Sequence, residues 1–140
     1  MFLRFARRQL AIWFVSALGF VILGIGIDRF VLAQQTGIKR TILITTDEPG
    51  SKTHEAVMGI AEVDPGASSG RHRHPGIEIG YVLEGSARLE HDGRPPIALK
   101  PGDVFRNDGV HNVTSTGASP AKILAVYLVE KGKPLAEAVK

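Results

Sequence analysis

The sequence predicts an all-β domain, an antiparallel sandwich or barrel, preceded by an N-terminal hydrophobic helix. Three observations carry that prediction. Short β-branched or alternating apolar runs follow one another after residue 33. Clusters of Gly, Pro, Asp and Asn separate them, drawn from 16 Gly and 8 Pro in 140 residues. No stretch beyond residue 33 holds the 3.6-residue apolar period of a helix.

Each element follows from its own residues. Lys39–Thr45 is rich in β-branched side chains and reads as the first strand. Asp47-Glu48-Pro49-Gly50-Ser51 turns the chain, and Glu55–Val63 is a second strand. A loop, 64–70, leads to Ile77–Leu83, a third strand closed by Glu84-Gly85. Ser86–Glu90 alternates and enters the hairpin signal His91-Asp92-Gly93, and Pro96–Leu99 returns. Val104–Arg106 and Val110–Ser115 are strands separated by Asn107-Asp108-Gly109. Ala121–Val129 is the longest apolar run of this part and is expected at the centre of a sheet. The tail from Lys131 reads as a short helix or a frayed end.

The leader is a different kind of sequence. Met1–Gln9 is short and basic, and Leu10–Ile27 then runs eighteen residues without a charge. That length spans a bilayer, and the arginines on its N-terminal side orient the remainder outward. Val31-Leu32-Ala33 offers small residues for a signal peptidase, so a cleaved signal and an uncleaved anchor both fit. Arg7-Arg8 partly resembles a twin-arginine export signal, and plain orientation charge explains the pair equally well. The expected organisation is a signal or anchor at 1–33, a linker at 34–38, a β-barrel at 39–130 and a tail at 131–140. The expected location is exported, periplasmic or on the outer face of the membrane, tethered through residues 10–27 if uncleaved.

Charge and cysteine content exclude some functions. The net charge is +3. Arg4, Arg7, Arg8 and Arg29 against Asp28 already account for it. The rest of the chain is balanced and offers no basic stripe for nucleic acid. Cysteine is absent, which excludes disulfides, thiolate metal sites and a cysteine nucleophile.

The chemistry-bearing pattern is Gly66-x5-His72-x-His74-x3-Glu78-x6-Gly85, with His111 downstream. In one extended strand, residues 72, 74 and 78 would all project from one face. Two imidazoles and a carboxylate then need one more donor from a neighbouring strand, and His111 is positioned in sequence to supply it. Imidazole and carboxylate suit a divalent transition metal such as Fe, Mn, Ni, Zn or Cu. His54 follows a turn cluster and His91 opens a hairpin turn, so both are left out of the site. Arg71 and Arg73 flank the ligands and, by parity, point away as solvated cations. Met58, Ile60, Val82, Phe105, Val113 and Tyr127 are expected to line the barrel, as core rather than as substrate contacts.

From about Lys39 to Val129 the chain resembles a single-domain cupin. The glycine-to-glycine pattern from Gly66 to Gly85 fits the first cupin motif at every position. The second motif is matched in kind by Gly102, Gly109 and His111, with three departures. Asn107 stands where a proline is expected, the Gly-to-His gap is one residue short, and Ser115 replaces an asparagine. The resemblance implies a jelly-roll barrel with His72, His74, Glu78 and His111 as ligands of one metal ion at its open end. It implies a small-molecule substrate or ligand, and a homodimer in which the Lys39–Thr45 strand takes part.

Two functional classes stay open. One is a metal-dependent enzyme, either a dioxygenase-like oxidoreductase with Glu78 as general base or a Lewis-acid isomerase or hydrolase. The other is a non-catalytic small-ligand binding or sensor module. A purely structural domain leaves the clustered ligands unexplained.

Overall fold

The structure, a computed structural model, describes residues 36–140. The hydrophobic segment at 10–27 and the export signal read from it lie outside the described residues. Among the described residues no helix is long and apolar enough to cross a membrane.

Among the described residues ten strands make two five-stranded sheets. They are β1 (Ile38–Asp47), β2 (His54–Val63), β3 (His72–Arg73), β4 (Gly76–Glu84), β5 (Ala87–His91), β6 (Ile97–Leu99), β7 (Val104–Asn107), β8 (His111–Ser115), β9 (Ala121–Glu130) and β10 (Glu137–Ala138). The first sheet has the order β1-β2-β9-β4-β7, the second β10-β3-β8-β5-β6, and every pairing is antiparallel. The all-β expectation holds, and β9, the long apolar run, lies at the centre of its sheet.

Period-two alternation builds the core. In β9, Ala121, Ile123, Ala125, Tyr127 and Val129 are buried, and the residues between them are not. Val57, Val82 and Ile123 from the first sheet pack in one cluster with Leu89, Leu99 and Val113 from the second. Phe105 lies across Gly80, its register partner. A Cβ at Gly80 would stand 2.1 Å from the ring, so only glycine fits beneath it.

Three expectations are corrected. The tail is neither helical nor frayed: Glu137 and Ala138 pair with Arg73 and His72, and Leu135 is buried in the core. An apolar side chain at 135 anchors the segment, which lets two residues hold a strand position. Met58 and Ile60 do not line the barrel. Val57 and Val63 take the inner face of β2, which leaves Met58 and Ile60 on the half-buried outer side. Residues 72, 74 and 78 do not belong to one strand, since His72 sits in the second sheet and Glu78 in the first.

The chain crosses between the sheets at His74-Pro75-Gly76. Pro75 has no N–H with which to continue a ladder, and its carbonyl accepts the Glu130 N–H instead. Gly76 passes hard against β9, where a Cβ would come within 2.0 Å of the Leu128 carbonyl oxygen. The ligands therefore meet because two sheets face each other, not because one strand alternates.

Candidate metal centre

His72 on β3 and His111 on β8 are register partners. Both point into the barrel and are buried, His72 to 6% exposure and His111 to 1%. His74 reaches the same point from the crossing. Its ring centroid lies 5.0 Å from that of His72 and 5.1 Å from that of His111, and the other two rings are 4.3 Å apart. The ligand atoms of the three rings all fall within 4.8 Å of one another.

The ring tautomers follow from the partners. Nδ1 of His72 faces the Gly70 carbonyl at 2.9 Å, Nδ1 of His74 the Leu135 carbonyl at 2.6 Å, and Nδ1 of His111 the Gly109 carbonyl at 2.9 Å. A carbonyl oxygen only accepts, so each Nδ1 carries a hydrogen and each Nε2 is turned inward, a lone pair wherever the ring is neutral. This is the second-layer arrangement that fixes metal-ligating histidines.

Glu78 supplies the negative charge. Its Oε2 lies 3.2 Å from His74 Nε2 and 3.3 Å from His111 Nε2. Both of those nitrogens are buried without a well-formed hydrogen bond. Lone pairs facing a buried carboxylate need a cation between them, either protons on the rings or a metal ion. The donor set fits a metal, and the His72, His74 and His111 cluster can bind one.

Burial, helped by His111, holds the His72 pKa down at about 4, so that ring is neutral at physiological pH. Burial alone would push the Glu78 carboxyl up. The adjacent His111 and His74 outweigh it and hold Glu78 well below the usual carboxylate range.

Three residues of the site escaped the sequence reading. Asn107, buried to 1% exposure, donates from Nδ2 to Glu78 Oε2 at 2.6 Å. His91 Nε2 lies 2.8 Å from Asn107 Oδ1, so His91 donates and fixes the amide orientation. His91 was set aside as a turn residue, but β5 runs to residue 91 and places it opposite His111 in register. Alternation would have found both: Phe105 and Asn107 share a face, as do Ala87, Leu89 and His91. Tyr127 is the third. It is opposite Glu78 in register, and its ring lies 4.8 Å from that of His74. Burial first, then the charge of Glu78, holds its phenol pKa well above the ordinary value.

The remaining candidates behave as expected. His54 bonds locally to Ser51 and Thr53, outside the site. Arg71 and Arg73 stay on the surface, paired with Asp92 and Glu137. A small pocket of about 20 Å³, open to solvent, lies over the cluster. Ile38, Val63, Val113 and Ile123 form its apolar wall, and Arg40, Ser69, His72, Glu78, His111 and Tyr127 supply its polar groups.

Comparison with known proteins agrees with this geometry. Residues 59–127 match the cupin domain family. The dimethylsulfoniopropionate lyase DddQ of Ruegeria pomeroyi is 39% identical over 57 residues, covering 40% of this chain and 28% of the lyase. Its crystal structure superposes with a TM-score of 0.53 at 26% identity, over 65% of this chain and 46% of the lyase. The phomopsin biosynthesis cluster protein C' of Diaporthe leptostromiformis is 30% identical over 122 residues, 79% of this chain and 65% of that protein. This chain thus spans less than two thirds of the curated relatives it matches. A conserved protein with a double-stranded β-helix domain from Klebsiella pneumoniae shares the fold with a TM-score of 0.59 at 22% identity, over 86% of this chain and 98% of that one. Sequence match, two-sheet architecture and the converging histidines agree, and the chain contains a single cupin domain.

Proposed function

We propose that this cupin is a metal-dependent enzyme that moves protons on a small organic molecule. One observation carries the reading: three Nε2 lone pairs, each fixed by a backbone carbonyl on Nδ1, converge beside a buried carboxylate. His72, His74 and His111 would hold one divalent transition metal, with Glu78 as the fourth ligand. A bound ion supplies Lewis-acid polarisation of a substrate oxygen.

The protein groups supply the proton chemistry. Glu78, released from the ion, is the group that would accept a proton, and the Tyr127 phenol in the same pocket is the group that would donate one. The likeness to a lyase over part of the chain supports this class. The dioxygenase reading uses the same ligands and is the alternative. A binding or sensor module would leave the Glu78–Tyr127 pair without a task.

We also read the domain as exported, with residues 10–27 as signal or anchor, on the strength of the uncharged run. Self-association is supported by the outer face of the first sheet, where Ile79, Tyr81 and Leu128 are 46%, 44% and 38% exposed side by side. A second copy would cover that face, and Ile79→Lys should then give a monomer in sedimentation.

Elemental analysis of the untagged protein, beside a His72→Ala/His74→Ala control, tests the main reading. Near-stoichiometric metal, lost in the control, supports it. No metal in the parent protein sinks it. Substrate-dependent oxygen uptake by the loaded protein would move the assignment to the dioxygenase class.

A further inference from the structure

The pocket holds one basic side chain besides its imidazoles. Arg40 lies on β1 opposite Ala61 of β2, in the inward-facing series Ile38, Arg40, Ile42. It lines the pocket over the cluster and also the smaller cavity beside it, and Tyr127 borders both. The arginines flanking the ligands have no such access, since Asp92 and Glu137 hold them at the surface.

We propose that Arg40 is the substrate-recognition residue of this pocket and that it selects small organic carboxylates. The inference rests on the reading of the pocket as a substrate site and names the class of substrate. Its inward position on the strand directs the Arg40 side chain into the pocket, so a carboxylate held there would bring its carbon skeleton beside Ile38, Val63 and Ile123. The planar fork of arginine matches a carboxylate in two parallel hydrogen bonds, which a neutral amide cannot reproduce. The pocket thus favours a small organic carboxylate over its uncharged isostere.

The test is calorimetric titration of the full chain with isobutyrate and isobutyramide, with metal content measured on the same samples. The wild-type chain should prefer isobutyrate by at least about tenfold, the effect of one hydrogen bond to a charged group. Arg40→Gln should lose about ten- to hundredfold in isobutyrate affinity and change isobutyramide affinity by less than about twofold. Arg40→Lys should fall between, because it keeps the charge and loses the fork. Metal content should be the same in all three. An unchanged isobutyrate preference in Arg40→Gln, or no preference in the wild-type chain, overturns the proposal and leaves the metal assignment standing. Absence of metal from the wild-type chain overturns the assignment instead, and the isobutyrate preference is then read on the metal-free protein. Should Arg40→Gln not fold, Arg40→Lys decides: affinity for isobutyrate equal to wild type overturns the proposal.

Discussion

The Leu135 carbonyl accepts the Nδ1 hydrogen of His74 at 2.6 Å, tying the end of the chain to a residue 61 positions earlier. No side-chain substitution removes a carbonyl, but truncation does. A chain ending at Gly132 should keep both sheets apart from β10, and His74 should lose its tautomer lock. We expect metal affinity to fall about ten- to hundredfold, the usual cost of a lost second-layer partner. Competition with a chelator measures it, and unchanged affinity would refute the role of Leu135.

Asn107 and His91 make a second prediction. Asn107→Leu removes the donor to Glu78 and should cost about ten- to hundredfold in metal affinity. His91→Ala should weaken binding less, because Asn107 can still reach Glu78 without its orienting donor. His54→Ala, whose partners are Ser51 and Thr53, should do nothing. Equal effects at residues 54 and 91 would contradict the chain from His91 through Asn107 to Glu78.

Gly80→Ala tests the packing. The new methyl would overlap the Phe105 ring, and both residues sit on hydrogen-bonded partner strands with little room to part. The expected loss is about 1–3 kcal/mol in denaturant melts. Gly80→Ala/Phe105→Leu should recover part of it.

The metal-free protein should lose stability in acid. The folded pKa of His72 is about 4, below its ordinary 6.5. Between those values the unfolded chain binds a proton that the folded chain does not, so stability is fully present above about pH 6.5 and drains as pH falls toward 4. The order of magnitude is about 3 kcal/mol for this group. Urea melts at pH 7 and pH 4.5 check the sign. A metal-free protein more stable at the lower pH would rule out a buried, neutral His72.

Most strands were legible because turn clusters bound them and because alternation marks a half-buried strand. β3 and β10 were not, since two residues carry no period: β3 is held between β8 and β10, and β10 pairs only with β3. His72, His74, Glu78 and His111 were legible from residue type and spacing. The reason given for their convergence, one strand's parity, was wrong, because Pro75 and Gly76 take the chain to the other sheet. Asn107, His91 and Arg40 were passed over because their importance lies in partners on other strands, which spacing along one strand does not reveal.

The crossing at Pro75 also bears on the order of synthesis. His72 and His74 leave the ribosome early, but His111 comes almost forty residues later, and the carbonyl that orients His74 comes later still. No nascent fragment that lacks the last strands can present three aligned lone pairs. On the metal-binding reading an ion would enter a nearly finished barrel, and the supply of metal where folding is completed, rather than where translation begins, would decide which ion is bound.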